Sequence, residues 1–221
     1  MPDLLTKILT RVLRLFFRLL YHEFSWSYDW VAWVVSIGRW KDWVLSTLPY
    51  LTGPEVLEVG HGPGHLQAAL LRNGVHAFGL DESPQMGLRA YQRLRRQGLS
   101  CCLVNGYAQS MPFPAQAFSQ VVATFPSEYI FDEDVAAEIY RVLMPGGAAV
   151  ILPSAIITGS SLFDRLAALL FRLTAQAPSQ LDKAFISQLT APFHQQGFEV
   201  EAITPSISSS RLLILLARKS R

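Results

Sequence analysis

Cysteine is almost missing from the 221 residues. Only Cys101 and Cys102 occur, side by side. Neighbours along a strand point to opposite faces, so these two do not bridge each other. No disulfide framework and no zinc–cysteine site is available, and a reducing, intracellular compartment is the expectation. Charge is scarce as well: Asp, Glu, Lys and Arg make up 16% of the chain, against about 25% in ordinary soluble domains. The net charge of +2 does not mark the whole chain for nucleic acid. An unbroken membrane span is also lacking. The 22 residues between Arg141 and Asp164 carry no charge, but Pro145, Gly146, Gly147, Pro153 and Gly159 divide them into turn, strand and loop. His22, His76 and His194 have no partner at metal-ligand spacing, so no metal is expected. Nor is there a signal-peptide pattern, because Lys7, Arg11, Arg14 and Arg18 interrupt every apolar stretch near the start.

What the chain does have is apolar residues, at 50% of the total. Its length suits one domain of about 150 residues with an extension. The extension is expected over residues 1–50. At about 100° per residue, Lys7, Arg11, Arg14 and Arg18 share a stripe about 60° wide, while Leu5, Leu9, Val12, Phe16 and Leu20 lie opposite. All five tryptophans follow, from Trp26 to Trp43. A basic amphipathic helix with nearby tryptophans fits the inner face of a membrane through residues 4–20. It equally fits a helix packed on the body with its cations in water.

From residue 51 onward, short apolar runs alternate with helical stretches, which predicts an α/β fold. Strands are expected at Glu55–Val59, His76–Leu80, Leu99–Val104, Ala117–Thr124 and Ala148–Leu152. Helices are expected at His65–Arg72, from Ser83-Pro84 to Arg96, and at Asp132–Leu143. Further helices are read at Ser161–Thr174 and Gln180–Gln196, then strands at Phe198–Ile203 and Arg211–Ala217. So short a connection makes the last pair antiparallel. The expected architecture is a doubly wound, mostly parallel seven-stranded sheet with a C-terminal antiparallel hairpin. A helical lid is expected at about 154–195, apolar through Ile156, Leu162, Phe163, Leu166 and Phe171.

Between the first strand and its helix stands Gly60-His61-Gly62-Pro63-Gly64, where missing side chains let a ligand approach the backbone. His65 stands where a dinucleotide fingerprint would have its third glycine or alanine. Val56-Leu57-Glu58-Val59-Gly60-His61-Gly62-Pro63-Gly64 resembles motif I of class I S-adenosylmethionine-dependent methyltransferases. Gly79-Leu80-Asp81, the stretch from Gly106 to Phe113, Phe118-Ser119-Gln120-Val121-Val122 and the turn Arg141–Gly147 resemble the family's later motifs in the same order. The nearest branch is the small-molecule group that includes quinone-ring methyltransferases.

The resemblance implies S-adenosylmethionine as cofactor and S-adenosylhomocysteine as product. Gly60, Gly62 and Gly64 would form the turn, with the Gly60 and Gly62 amides meeting the cofactor's methionine end. Glu58 would hold the turn and the ammonium. Asp81 would accept from both ribose hydroxyls. Ala108 would contact adenine through its backbone, and Thr124 would lie by the amino acid moiety. The family usually has Asp where this chain has Tyr107, and Gln109 is the nearest substitute acceptor. Methyl transfer needs orientation more than acid–base chemistry, so no catalytic dyad is required. Candidates for a proton or orienting role are Glu128 and Tyr129 after the fourth strand, and His61 in the turn. The expected acceptor is small and hydrophobic or lipid-like, in a cytoplasmic protein, with no nucleic acid partner: the stretch Thr124-Phe125-Pro126-Ser127 lacks the nucleic-acid methyltransferase signature. A nucleotide-dependent oxidoreductase and a membrane-peripheral protein without catalysis are the competing readings.

Overall fold

A computed structural model describes residues 38–100, 102–159 and 183–221. The expected helices at 4–20 and Ser161–Thr174, with most of the tryptophan segment, lie outside the described residues. Among those described, no helix is long and apolar enough to cross a membrane, and no group of His, Cys, Asp and Glu is arranged to hold a metal.

The elements follow the alternation of the sequence. Helix α1 (Trp40–Leu45) precedes β1 (Glu55–Val59), α2 (His65–Arg72), β2 (His76–Asp81), α3 (Pro84–Arg95) and β3 (Cys102–Asn105). Then come β4 (Phe118–Thr124), a 3-10 turn at Glu128–Phe131, α4 (Glu133–Val142) and β5 (Leu143–Ile157). The chain continues with α5 (Lys183–Gln195), β6 (Phe198–Ile203), β7 (Ser206–Ile207) and β8 (Ser210–Lys219). Helix α3 starts as its sequence dictates, with the Ser83 hydroxyl accepting from Met86 N–H and Pro84 in the first turn.

The sheet order is β3-β2-β1-β4-β5-β8-β6, with β7 paired to β8. The first five strands are parallel, and β8 runs antiparallel between β5 and β6. Alternate side chains fill the two faces. Leu57, Val121, Ile151, Leu213 and Leu215 pack with Ile139 of α4 and Phe193 of α5. Val56, Val122, Val150, Ile214 and Leu216 pack with Trp43 of α1 and with Leu66 and Leu70 of α2. That period of two is what a strand covered on both faces requires.

Three strand boundaries depart clearly from expectation. β5 does not wait for Ala148. Leu143 already pairs with Phe118, and Met144–Gly147 bulge out before Ala148 meets Gln120. β5 also continues past Pro153, because β8 offers partners as far as Ser210 opposite Ile157. Within the expected lid, residues 154–157 therefore continue a strand, 160–182 lie outside the described residues, and Phe193 of α5 is buried in the core. β3 does not include Leu99 or Ser100, and its described register starts with Cys102 opposite Phe78.

Candidate functional site

The carboxyl ends of β1, β2 and β4 meet where strand order reverses, the place where open α/β sheets leave a crevice. Gly60, Gly62 and Gly64 all have positive φ, of 72°, 51° and 80°. Each serves a different purpose. A Cβ at Gly64 would lie 2.9 Å from Ala90 Cβ, so this glycine lets α2 start against α3. A Cβ at Gly60 would lie 2.7 Å from the Tyr129 hydroxyl oxygen, whereas one at Gly62 would meet nothing within 4 Å. The turn is thus open at Gly62 and overhung by Tyr129 at Gly60.

The turn's amides are used internally. Gly60 N–H donates to Leu80 O (2.8 Å), and Gly62 N–H donates to Asp81 Oδ2 (2.8 Å). This corrects the expectation that both amides face a ligand: they bind β1's turn to the end of β2. Ser83 N–H occupies Asp81 Oδ1 at 2.9 Å. A carboxylate has about four acceptor positions, so each Asp81 oxygen keeps one.

His61 lies beneath the turn and is only 3% exposed. Its ring fills the space that a Cβ at Gly79 would need, 2.8 Å away. Nδ1 sits 2.7 Å from Gly62 O, so it carries the hydrogen. Burial lowers the pKa of His61 and the Asp81 charge opposes that shift. This placement makes His61 a packing group of the turn.

Glu58 is the most constrained side chain of the site, 2% exposed at the end of β1. Burial raises its pKa from 4.5 to about 8; Asp81 adds to the rise, and hydrogen bonds with the side chain and backbone of Gln67 oppose it. Glu58 Oε2 and the buried Gln67 Oε1 both have no hydrogen-bond partner, while Gln67 Nε2 donates to Phe78 O. Two buried acceptors without donors at one place create demand for a proton or a cation.

The other expected residues ring the same edge. Thr124 is half-buried at the end of β4. Phe125 follows with φ of 47° and packs its ring 4.2 Å from that of Trp40. Glu128 is exposed. Ala108 is buried and Gln109 exposed in the loop after β3, which Gly106 N–H ties to Asp81 O (3.1 Å). Sequence reasoning missed what fixes this loop. Met111 N–H donates to Glu138 Oε2 (2.6 Å), and Arg141 donates to Met111 O (3.0 Å) and Phe113 O (2.8 Å) while gripping Glu138 with two nitrogens. The only advance signal was acid and base three residues apart on one helix face.

Comparison with known proteins bears on the fold and on what the chain resembles. Residues 56–147 match the family model described as methyltransferase domain. The Bacillus subtilis protein named uncharacterized methyltransferase YdaC is 29% identical over 164 residues, covering 72% of this chain and 79% of that protein. The demethylmenaquinone methyltransferase of Tropheryma whipplei is 30% identical over 139 residues, covering 61% of this chain and 57% of that one. The UbiE ubiquinone/menaquinone C-methyltransferase of Xanthomonas oryzae is 32% identical, with 57% and 53% covered, so the match spans about half of these quinone enzymes. Among solved structures, a Methanococcus maripaludis protein superposes with a TM-score of 0.66 at 19% identity, over 89% of this chain and 93% of that one. A Haemonchus contortus phosphoethanolamine N-methyltransferase, solved with S-adenosylhomocysteine, gives 0.59 at 18% identity, over 83% and 53%. At these identities the structures speak for the fold.

Proposed function

We propose that the chain is a class I S-adenosylmethionine-dependent methyltransferase whose acceptor is a small, hydrophobic ring or lipid of the quinone kind, a reading supported by the methyltransferase-domain match and the quinone-methylating relatives. One observation carries the site assignment: the glycine turn is open at Gly62, and Glu58, at the end of the strand that leads into it, has a buried oxygen with no donor. Glu58 would find that missing donor in the cofactor's ammonium, which is why the residues suit it. Bound S-adenosylmethionine contributes a methyl group already activated on a sulfonium, so the protein's task is positioning.

Glu58 holds the ammonium, and Asp81 receives the ribose hydroxyls on the acceptor positions that Gly62 and Ser83 leave. Ala108 meets the adenine through its backbone, with Gln109 and Thr124 at the rim. Tyr129, whose hydroxyl overhangs Gly60, would orient the acceptor by hydrogen bonding. Relatives named for quinone methylation and the apolar composition support a hydrophobic acceptor.

Titration calorimetry with S-adenosylmethionine and S-adenosylhomocysteine, with NADH as control, tests the cofactor. Saturable binding that Asp81→Ala weakens about tenfold or more is expected, about 1.4 kcal/mol for a lost charged hydrogen bond. Binding of NADH alone would return the site to the oxidoreductases. Labelled methyl transfer to a panel of prenylated and unprenylated quinols, phenols and amines then tests the acceptor, with the apolar quinols expected to win.

A further inference from the structure

Tyr107 contradicts the usual fate of a large ring. It is 66% exposed, among the most exposed of the large apolar side chains described. Yet its loop is firmly held. Asn105 Nδ2 and Gly106 N–H both donate to Asp81 O, at 3.0 and 3.1 Å, and Ser110 N–H donates to Tyr107 O at 3.1 Å. Just beyond, Glu138 and Arg141 clamp Met111 and Phe113. A rigid backbone thus presents an aromatic face to the solvent at the edge of the site.

Position gives that face a purpose. Asp81 pairs in register with Asn105, two residues before Tyr107. A nucleoside whose ribose sits on Asp81 has its base within reach of the loop that follows β3. The exocyclic amine of a purine needs an acceptor, but residues 105–113 contain neither Asp nor Glu. The Asp81 carboxylate is turned to the amides of Gly62 and Ser83. What the loop offers instead is the exposed Gln109 amide and, two residues earlier, the far larger face of the Tyr107 ring.

We infer that Tyr107 is the stacking platform for the cofactor's purine, holding the ring by its face and leaving the amine unread; this rests on the cofactor assignment above. Sites that hydrogen-bond a group reject the analogue lacking it by about 10⁴-fold, whereas stacking tolerates every base. The enzyme therefore accepts a hypoxanthine cofactor nearly as well as an adenine one.

The test is calorimetry on the full chain with S-adenosylhomocysteine and its deaminated analogue S-inosylhomocysteine. Wild type is expected to bind both within about threefold, a small difference for a face-held ring. Tyr107→Ala is expected to weaken both about tenfold, and Tyr107→Phe to keep both, which also guards against a folding defect. Tyr107→Asp is expected to create a preference for adenine. Rejection of the inosine analogue by wild type about a hundredfold or more would overturn the inference, as would unchanged binding in Tyr107→Ala. An adenine preference abolished by Gln109→Ala would also overturn it, by giving the amine to the amide. If folded wild type binds neither ligand, the cofactor assignment falls and the platform with it.

Discussion

Glu58 is a carboxyl group closed off from water, and its charge bears on stability as well as binding. In the unfolded chain it ionises near 4.5; in the fold, burial moves that to about 8. Between those values the folded state holds a proton that the unfolded state has released, so stability is full below the window and declines as pH rises through it. The slope is at most about 1.4 kcal/mol per pH unit for one proton. Glu58→Gln is expected to flatten that decline in urea unfolding measured from about pH 5 to 8, and to weaken cofactor binding, because a carboxamide carries no charge to meet an ammonium. An unaltered slope would assign the titration elsewhere. The glycines separate stability from binding. Gly64→Ala forces a Cβ onto Ala90 at positive φ and is expected to cost about 3 kcal/mol in urea unfolding. Gly62→Ala meets no neighbour, so it is expected to cost only about 1–2 kcal/mol of backbone strain while abolishing S-adenosylhomocysteine binding. Tyr129→Phe is expected to lower kcat about tenfold with little change in cofactor affinity. A fall in affinity without a fall in kcat would make Tyr129 part of the cofactor wall instead.

At the scale of elements, α4 is the buttress of the loop after β3. Its Glu138–Arg141 pair reaches Met111 and Phe113, 27 to 30 residues earlier in the sequence. Arg141→Met leaves the helix apolar and continuous but removes the grip on the loop. It is expected to raise the KM for S-adenosylmethionine about tenfold, or about 1.4 kcal/mol, with kcat nearly unchanged; equal loss in both would point to general unfolding. Such a clamp was not legible beforehand, because i,i+3 spacing identifies the pair and only topology says what it touches. The same contrast runs through the fold. β1 and α2 were readable to the residue, since apolar runs and a glycine turn punctuate them locally. β5 was not, because its ends are set by its partners: Phe118 recruits Leu143, and β8 carries the strand past Pro153. Of the site, Asp81 and the glycine turn were legible from spacing. That His61 lies beneath the turn was not, since it depends on the room left by Gly79 in the neighbouring strand.

For the molecule as a whole, the sheet edges among the described residues are β3 and β6. β6 keeps its edge polar with the exposed Glu199 and Glu201, the latter paired to Arg218 at 3.1 Å, which discourages strand-to-strand joining. The basic stripe read over residues 4–20 adds a surface prediction. Removing residues 1–20 is expected to reduce sedimentation with anionic vesicles, and salt is expected to reduce it in the intact chain. Equal binding with and without the segment would dismiss the membrane role. The order of the strands has a consequence for biosynthesis. β8 is made after both of the strands that flank it, β5 and β6, yet it lies inside the sheet and supplies Leu212 to Ala217 to both faces of the core. Until it emerges, β5 is an open apolar edge and β6 has nothing to pair with. The nascent chain can therefore build the β1–β4 half early but must be shielded from its neighbours until β8 slides into place.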